Sequence, residues 1–224
     1  MTLPLMPNSA PPLPRPIVLL PSGNTIDLAN PSPNSWSDDD LAVGLARTYR
    51  WGGHSRWSRP LSVAQHSLTV LAIREIEAPL PPQLALYELL HDAEEGLLGF
   101  DAIAPLKPFL GEPFRALCAR LTVAIANRYG LTDLSPDEFT AHKHADRVAA
   151  ASEALHVAGW SAHQISDTLE IAEAPLDNDP LEGLSSGSTF EPWEPWTDIL
   201  ARRHWLARLR QELARADTLA PFAL

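Results

Sequence analysis

QLALYELLHDAEEGLL, residues 83–98, decides how the rest of the chain is read. Taken as one helix, it turns adjacent residues about 100° apart. His91 and Asp92 can then both turn toward one ion lying over the helix. Glu95, four residues after His91 and three after Asp92, lies over the gap between them. Imidazole plus carboxylate is a borderline-to-hard donor set suited to Zn, Mn, Co or Fe. An HD dipeptide by itself arises readily by chance, and a solvated helix face is the competing reading.

The preceding helix weakens that competitor. In LSVAQHSLTVLAIREIEA, residues 61–78, His66 is flanked by Val63, Val70 and Ile73 at helical spacing. A histidine on such a stripe is buried and needs a hydrogen-bond partner, for which a backbone carbonyl would suffice. The break at Ala78–Pro82 is short, so the two helices are antiparallel neighbours with these faces together. A metal ion is then the simplest common partner of His66, His91 and Asp92. A fifth helix, starting near Pro136, carries KHADR and then an apolar run from Val148 to Ala151. Its Asp146 would complete the ligand set and leave positions open for water and substrate. His142 and His144 are nearby alternatives; His142 shares a face with Asp146, with an ordinary surface histidine as the competing reading.

Further out, the pattern stays helical. SWSDDDLAVGLARTYRW has Ser37 as N-cap, three aspartates at the positive end of the dipole, and Gly52 and Gly53 as its stop. A polar loop runs from there to Pro60. A fourth helix is expected over about Glu112–Tyr129, closing at Gly130. A last one is expected over about Pro195–Ala216, with Ile199, Leu206, Leu209 and Leu213 in register. Nine of the 22 prolines fall within the first 33 residues, which excludes helix there. Within that segment IVLL–PSGN–TIDLA reads as two short strands around a turn. The fold class is mainly α: a helical bundle with a small N-terminal β-ribbon and an added C-terminal helix. The chain divides into three parts: residues 1–35, proline-rich with the ribbon; 36–158, the helical core; and 159–224, an acidic segment and a C-terminal helix packed on the core.

Charge narrows the function. The 224 residues carry a formal charge of −11, 17 Lys and Arg against 28 Asp and Glu, with 45% hydrophobic residues. That balance argues against gripping a nucleic-acid polymer, and the core-forming fraction excludes global disorder. Val148–Ala201 holds ten acidic residues and no Lys or Arg, so the remainder is nearly neutral. Phosphates would be repelled by this segment, so it is expected away from the site, at a subunit contact. One cysteine, Cys118, excludes an internal disulfide framework. No apolar run approaches a bilayer span and no signal peptide is evident, so no membrane partner and a cytoplasmic location are expected.

His66, then His91–Asp92, then Asp146, in that order on three helices, resembles the HD-domain metal-dependent phosphohydrolases. The closer likeness is to the bacterial 5′-deoxynucleotidases and the phage enzymes that hydrolyse dNTPs. An Arg-Trp pair about fifteen residues before the first metal histidine belongs to that group. Here Arg50-Trp51 lies sixteen before His66. Ala93, Glu94 and Glu95 match the three positions after the group's HD pair, and DAIAPLK matches its aspartate and lysine as Asp101 and Lys107. The likeness covers roughly residues 20–150; this chain has one residue more between Glu95 and Asp101 than the group.

The resemblance implies one divalent transition-metal ion held by His66, His91, Asp92 and Asp146, activating water for attack on the α-phosphorus of a nucleotide. Glu95 and Asp101 take the catalytic roles, with Glu95 orienting the water or shuttling a proton. Arg50, Trp51 and Lys107 bind substrate: the cations through phosphate, Trp51 through a base or as a wall of the sugar pocket. The expected substrate is a 2′-deoxynucleoside 5′-monophosphate, and the expected assembly a homo-oligomer, commonly a dimer. A dNTP triphosphohydrolase using the same site, or a non-catalytic nucleotide-binding module on the same scaffold, are the alternatives.

Overall fold

The computed structural model describes residues 14–76, 78–185 and 190–219; the proline-rich reading of residues 1–13 lies outside them. Strands β1 (Ile17–Leu19) and β2 (Thr25–Asp27) pair antiparallel, Val18 opposite Ile26, as the two apolar runs around PSGN predict. The buried Ile26 pins this ribbon to the body.

Helix starts obey local capping chemistry. Helix α1 (Asp38–Arg47) opens with a capping box in which Ser37 accepts from the Asp40 backbone N–H and Asp40 accepts in return. It ends at Thr48, before the glycines expected to stop it. Thr48 turns extended, its carbonyl accepting from Val63 N–H and the Arg50 N–H donating to Leu61 O, so the chain makes a short antiparallel bridge instead of about one more helical turn. Helix α2 (Val63–Arg74) is capped by Ser62 and buried on most sides. The expected single helix over residues 83–98 is two: α3 (Pro82–Leu90) and α4 (Ala93–Leu98). The break has a local cause. His91 Nδ1 donates to Glu88 O at 2.8 Å, the carbonyl that a continuing helix would offer to Asp92 N–H.

Helix α5 (Lys107–Tyr129) is interrupted at Gly111 (φ 71°, ψ −168°), so its regular part begins at Glu112, and it closes at the left-handed Gly130. Helix α6 (Pro136–Glu153) starts on a Ser135–Glu138 capping box and runs into a π-turn over Ala154–Ala158. After the short α7 (Ala162–Asp167), α8 (Asp198–Leu219) returns across the body. It packs on α1 and α3 through Ala201, Trp205, Leu206 and Leu209. Trp205 Nε1 donates to Leu89 O. Ile199, expected on that face, is 76% exposed.

Helix α2 is the centre of the bundle, touching α1, α3, α6 and α8. One close approach fixes where α4 sits: a Cβ on Gly44 of α1 would fall 2.2 Å from Gly96 O of α4. Only two glycines allow backbones that near.

Candidate metal centre and its cavity

His66 lies in the first turn of α2 with no solvent exposure. Its Nδ1 is 2.6 Å from Glu153 Oε1, a buried carboxylate whose ionised form the Arg50 guanidinium favours against the cost of burial. An ionised carboxylate only accepts, so His66 Nδ1 carries a proton. His91 Nδ1 faces a carbonyl, which also only accepts, and carries one too. Each neutral ring therefore turns an Nε2 lone pair inward.

Those lone pairs meet. The two Nε2 atoms are 3.3 Å apart, and Asp92 Oδ2 lies 3.3 Å from His91 Nε2 and 3.6 Å from His66 Nε2. Asp146 Oδ1 approaches His66 Nε2 at 3.5 Å. Four acceptors facing one another require positive charge between them: extra protons or a cation. Without a metal, the rings take the protons. Burial opposes charge on His91, but Asp92 and Asp146 raise it to about 10. His66 is raised as well, against burial and the Arg50 charge, by Glu153 and Asp146. Asp92 and Asp146 are held far below the usual carboxylate range, against burial, by the histidines and Arg50.

The same arrangement fits one divalent ion. His66, His91 and Asp92 each offer a ligand atom within 4.8 Å of the others. Nitrogen and oxygen ligands about 2.1 Å from a shared tetrahedral centre are themselves roughly 3.4 Å apart, close to the spacings here. Three carboxylates, Asp92, Asp146 and Glu153, face the single Arg50 guanidinium. A divalent ion between neutral imidazoles brings that group to neutrality.

Asp92 and Asp146 reach from this cluster into a cavity of about 710 Å³, which Arg50, Trp51, Asp101 and Lys107 also line. The sequence candidates thus converge, apart from Glu95. Its Oε1 accepts from Lys107 Nζ at 3.3 Å, and its buried Oε2 has no hydrogen-bond partner. It lines a smaller cavity of about 190 Å³, beside Glu94, Phe114 and Cys118, and Lys107 lines both. Burial, Asp92 and Asp101 push Glu95 up to about 9, so it holds a proton at neutral pH.

Trp51 takes φ 58° and Glu170 φ 55°, left-handed backbone that non-glycine residues rarely adopt, and both line the large cavity. Glu170 arrives there with Thr168, Leu169 and Ile171, which corrects the expectation that the acidic segment stays away from the site. The segment is stitched to α6: Arg147 pairs with Glu173, Leu176 N–H donates to Ser152 Oγ, and His156 Nε2 meets Leu176 O. Its Ile165, Leu169 and Ile171 pack with Trp51. Arg147 and Lys143, also lining the cavity, supply local positive charge beside that acid.

Two residues escape the sequence reading. Glu153, two turns beyond Asp146 on α6, supports His66. Glu88 meets His142 Nδ1 at 2.6 Å, so His142 is a buried, hydrogen-bonded residue, not a surface one. Spacing marks Asp146, and the same spacing carried two turns further marks Glu153.

Fold and site together define a class: mainly helical proteins with a buried two-histidine, carboxylate-rich cluster fit for a metal ion, at the floor of an open cavity. No protein-family model matches the chain. An uncharacterised protein of Rhodobacter capsulatus is 40% identical over 145 residues, 62% of this chain and 72% of that protein, and the chain belongs to its family. Among the described residues no helix is long and apolar enough to cross a membrane.

Proposed function

We propose that this chain is a metal-dependent phosphohydrolase of the HD-domain type, acting on a 2′-deoxynucleoside 5′-monophosphate. The observation that carries the reading is the convergence of His66 Nε2, His91 Nε2, Asp92 Oδ2 and Asp146 Oδ1 beneath a cavity lined by Arg50, Lys107, Lys143 and Arg147. Its volume suits a small-molecule ligand.

The chain's own residues divide the work. His66, His91, Asp92 and Asp146 would hold the ion, which when bound supplies water activation and neutralises phosphoryl charge. Arg50 and Lys107 orient the phosphate, the former by its planar fork. Asp101, on the cavity wall, is the carboxylate placed to orient the attacking water, while Glu95, outside that cavity, acts through Lys107 by holding its ammonium. Trp51, Leu169 and Ile171 form an apolar wall against which the nucleoside packs and from which water is excluded.

Four cations around a cavity of this size also accommodate a longer phosphate chain, which favours a dNTP triphosphohydrolase as the second reading. One assay separates them. Protein stripped of metal is supplied with Mn, Co, Mg or Zn and given dNMPs, NMPs or dNTPs, with Asp92→Ala as control. Metal-dependent orthophosphate from dNMPs, lost in the variant, is the expected result. Tripolyphosphate from dNTPs moves the reading to the second enzyme. Tight metal binding with no turnover of any nucleotide points to a non-catalytic binding module and overturns both.

A further inference from the structure

We infer that Glu153 is a positioning residue that ties metal affinity to nucleotide binding through one carboxylate. The inference rests on the nucleotide-hydrolase reading for its second half only. Glu153 is 1% exposed and uses both oxygens. Oε1 accepts from His66 Nδ1–H at 2.6 Å; Oε2 accepts from Arg50 Nε–H at 2.9 Å and Trp51 Nε1–H at 3.2 Å.

On the first oxygen, the carboxylate locks the His66 tautomer. With Nδ1–H committed to Glu153, Nε2 is the nitrogen left to face the cluster and to ligate an ion, the arrangement that makes a metal-ligating imidazole more basic and fixes its ring. On the second, it holds two side chains that line the cavity, Arg50 and Trp51. Arg50 has a further, weaker contact with Asp92 at 3.4 Å, so Glu153 Oε2 is its shortest anchor.

The backbone beside Glu153 reinforces the same coupling. The π-turn begins at the next residue, Ala154. Near its end, His156 O accepts from Trp57 Nε1 at 3.0 Å and Val157 O from Arg56 N–H at 2.8 Å. Carbonyls in the last turn of a helix have no partner within it and are free to take outside donors. The loop bearing Arg50 and Trp51 is thereby fastened to α6 twice, once by the Glu153 side chain and once by these carbonyls. Any shift of Glu153 displaces a metal ligand and the substrate wall together.

The test uses the full-length chain, stripped of metal, with Mn(II) as probe in isothermal titration calorimetry and dAMP as the turnover substrate. Glu153→Gln can turn its amide N–H toward His66 Nδ1 and so reverse the tautomer. It is expected to weaken Mn(II) binding by about 10–100-fold and to raise KM for dAMP by about tenfold, beyond any fall in kcat. Glu153→Asp keeps the charge but falls short by one methylene, and is expected to lie between the two. Asp40→Asn, which disrupts a buried carboxylate with no contact to the cluster, is the structural control and should leave Mn(II) affinity within about threefold. Should either Glu153 variant fail to fold, the Zn-loaded wild type still reports. A buried His66 Nδ1–H held by a carboxylate gives a far-downfield, slowly exchanging imidazole proton resonance that persists in His142→Gln, where the pair with Glu88 is gone, and its absence there overturns the inference. Unchanged Mn(II) affinity in Glu153→Gln, or an equal loss in Asp40→Asn, overturns it as well. A wild type that binds Mn(II) without hydrolysing any nucleotide refutes the proposed function, and the metal half of this inference is still read from the calorimetry.

Discussion

Two triads in this protein are built almost alike. In one, His66 Nδ1 lies 2.6 Å from Glu153 Oε1, and Arg50 Nε 2.9 Å from the other oxygen. In the second, His142 Nδ1 lies 2.6 Å from Glu88 Oε2, and Arg74 Nε 2.8 Å from the other oxygen. All four histidine and glutamate side chains are buried, and each triad joins α6 to a neighbouring helix. They part at the far side of the imidazole. His66 Nε2 faces three further acceptors, whereas the His142 ring is enclosed by Tyr87, His91 and Phe139. Burial and pairing therefore do not distinguish a site from a structural tie. Acceptors that converge without a donor do.

The largest effect expected is at the convergence itself. Asp92→Ala removes the carboxylate shared by both rings and should weaken Mn(II) binding by more than the roughly hundredfold that losing an outer partner costs, measured by calorimetry at pH 7. A loss of less than tenfold would mean the acceptors are satisfied by protons alone. The structural triad should respond the other way. His142→Ala leaves Glu88 and Arg74 buried without their third member and opens a cavity. It should cost about 3 kcal/mol in urea unfolding while metal affinity stays within about threefold. A large drop in affinity would erase the distinction between the triads.

A smaller effect is expected where α4 leaves the His91–Asp92 break. On Gly44→Ala the new Cβ meets the Gly96 carbonyl at 2.2 Å, and backbone cannot swing aside as a side chain does. Overpacking of this sort costs about 2 kcal/mol. Because α4 carries Glu95, kcat should fall along with stability; a variant as stable as wild type would show that α1 and α4 separate freely.

How much of this the chain announces depends on whether the cause is local. Ser37 with Asp40 and Ser135 with Glu138 mark helix starts because the donor and acceptor sit three residues apart. The metal candidates are legible for a similar reason, since His66 lies on an apolar stripe and Asp146 before an apolar run. The helix break at His91 is local too, but its ring winning the Glu88 carbonyl from Asp92 is one of several rotamers that the same residues allow. Two features depend on partners that the linear pattern does not point to. The burial of His142 needs Glu88, 54 residues away. The acidic segment reads as repulsive only while Arg147 is left out, and Arg147 pairs with Glu173 beside the cavity. Charge counted along the chain does not reveal which acids are already answered.

Asp40 sharpens the comparison from outside either triad, because it is a buried carboxylate with neutral partners. Its oxygens accept from Ser22 N–H at 2.8 Å, Ser37 N–H at 2.9 Å and Ser37 Oγ–H at 2.8 Å. Burial pushes its pKa up, and the Ser37 and Ser22 hydrogen bonds more than reverse that, leaving it below the ordinary aspartate value. A carboxyl whose folded pKa is depressed adds stability that is fully present above the unfolded value of about 3.9 and is lost as pH falls through the folded one. Asp40→Asn turns an amide toward donors and should cost about 1 kcal/mol at pH 7, a gap that closes between pH 4 and the folded pKa as the wild type gains its proton. Urea unfolding across that range checks it. With no cation among its partners, Asp40 should leave Mn(II) affinity untouched at every pH. A gap that persists in acid would assign the loss to packing, and carboxylates in this fold could then no longer be sorted by the charge of what they face.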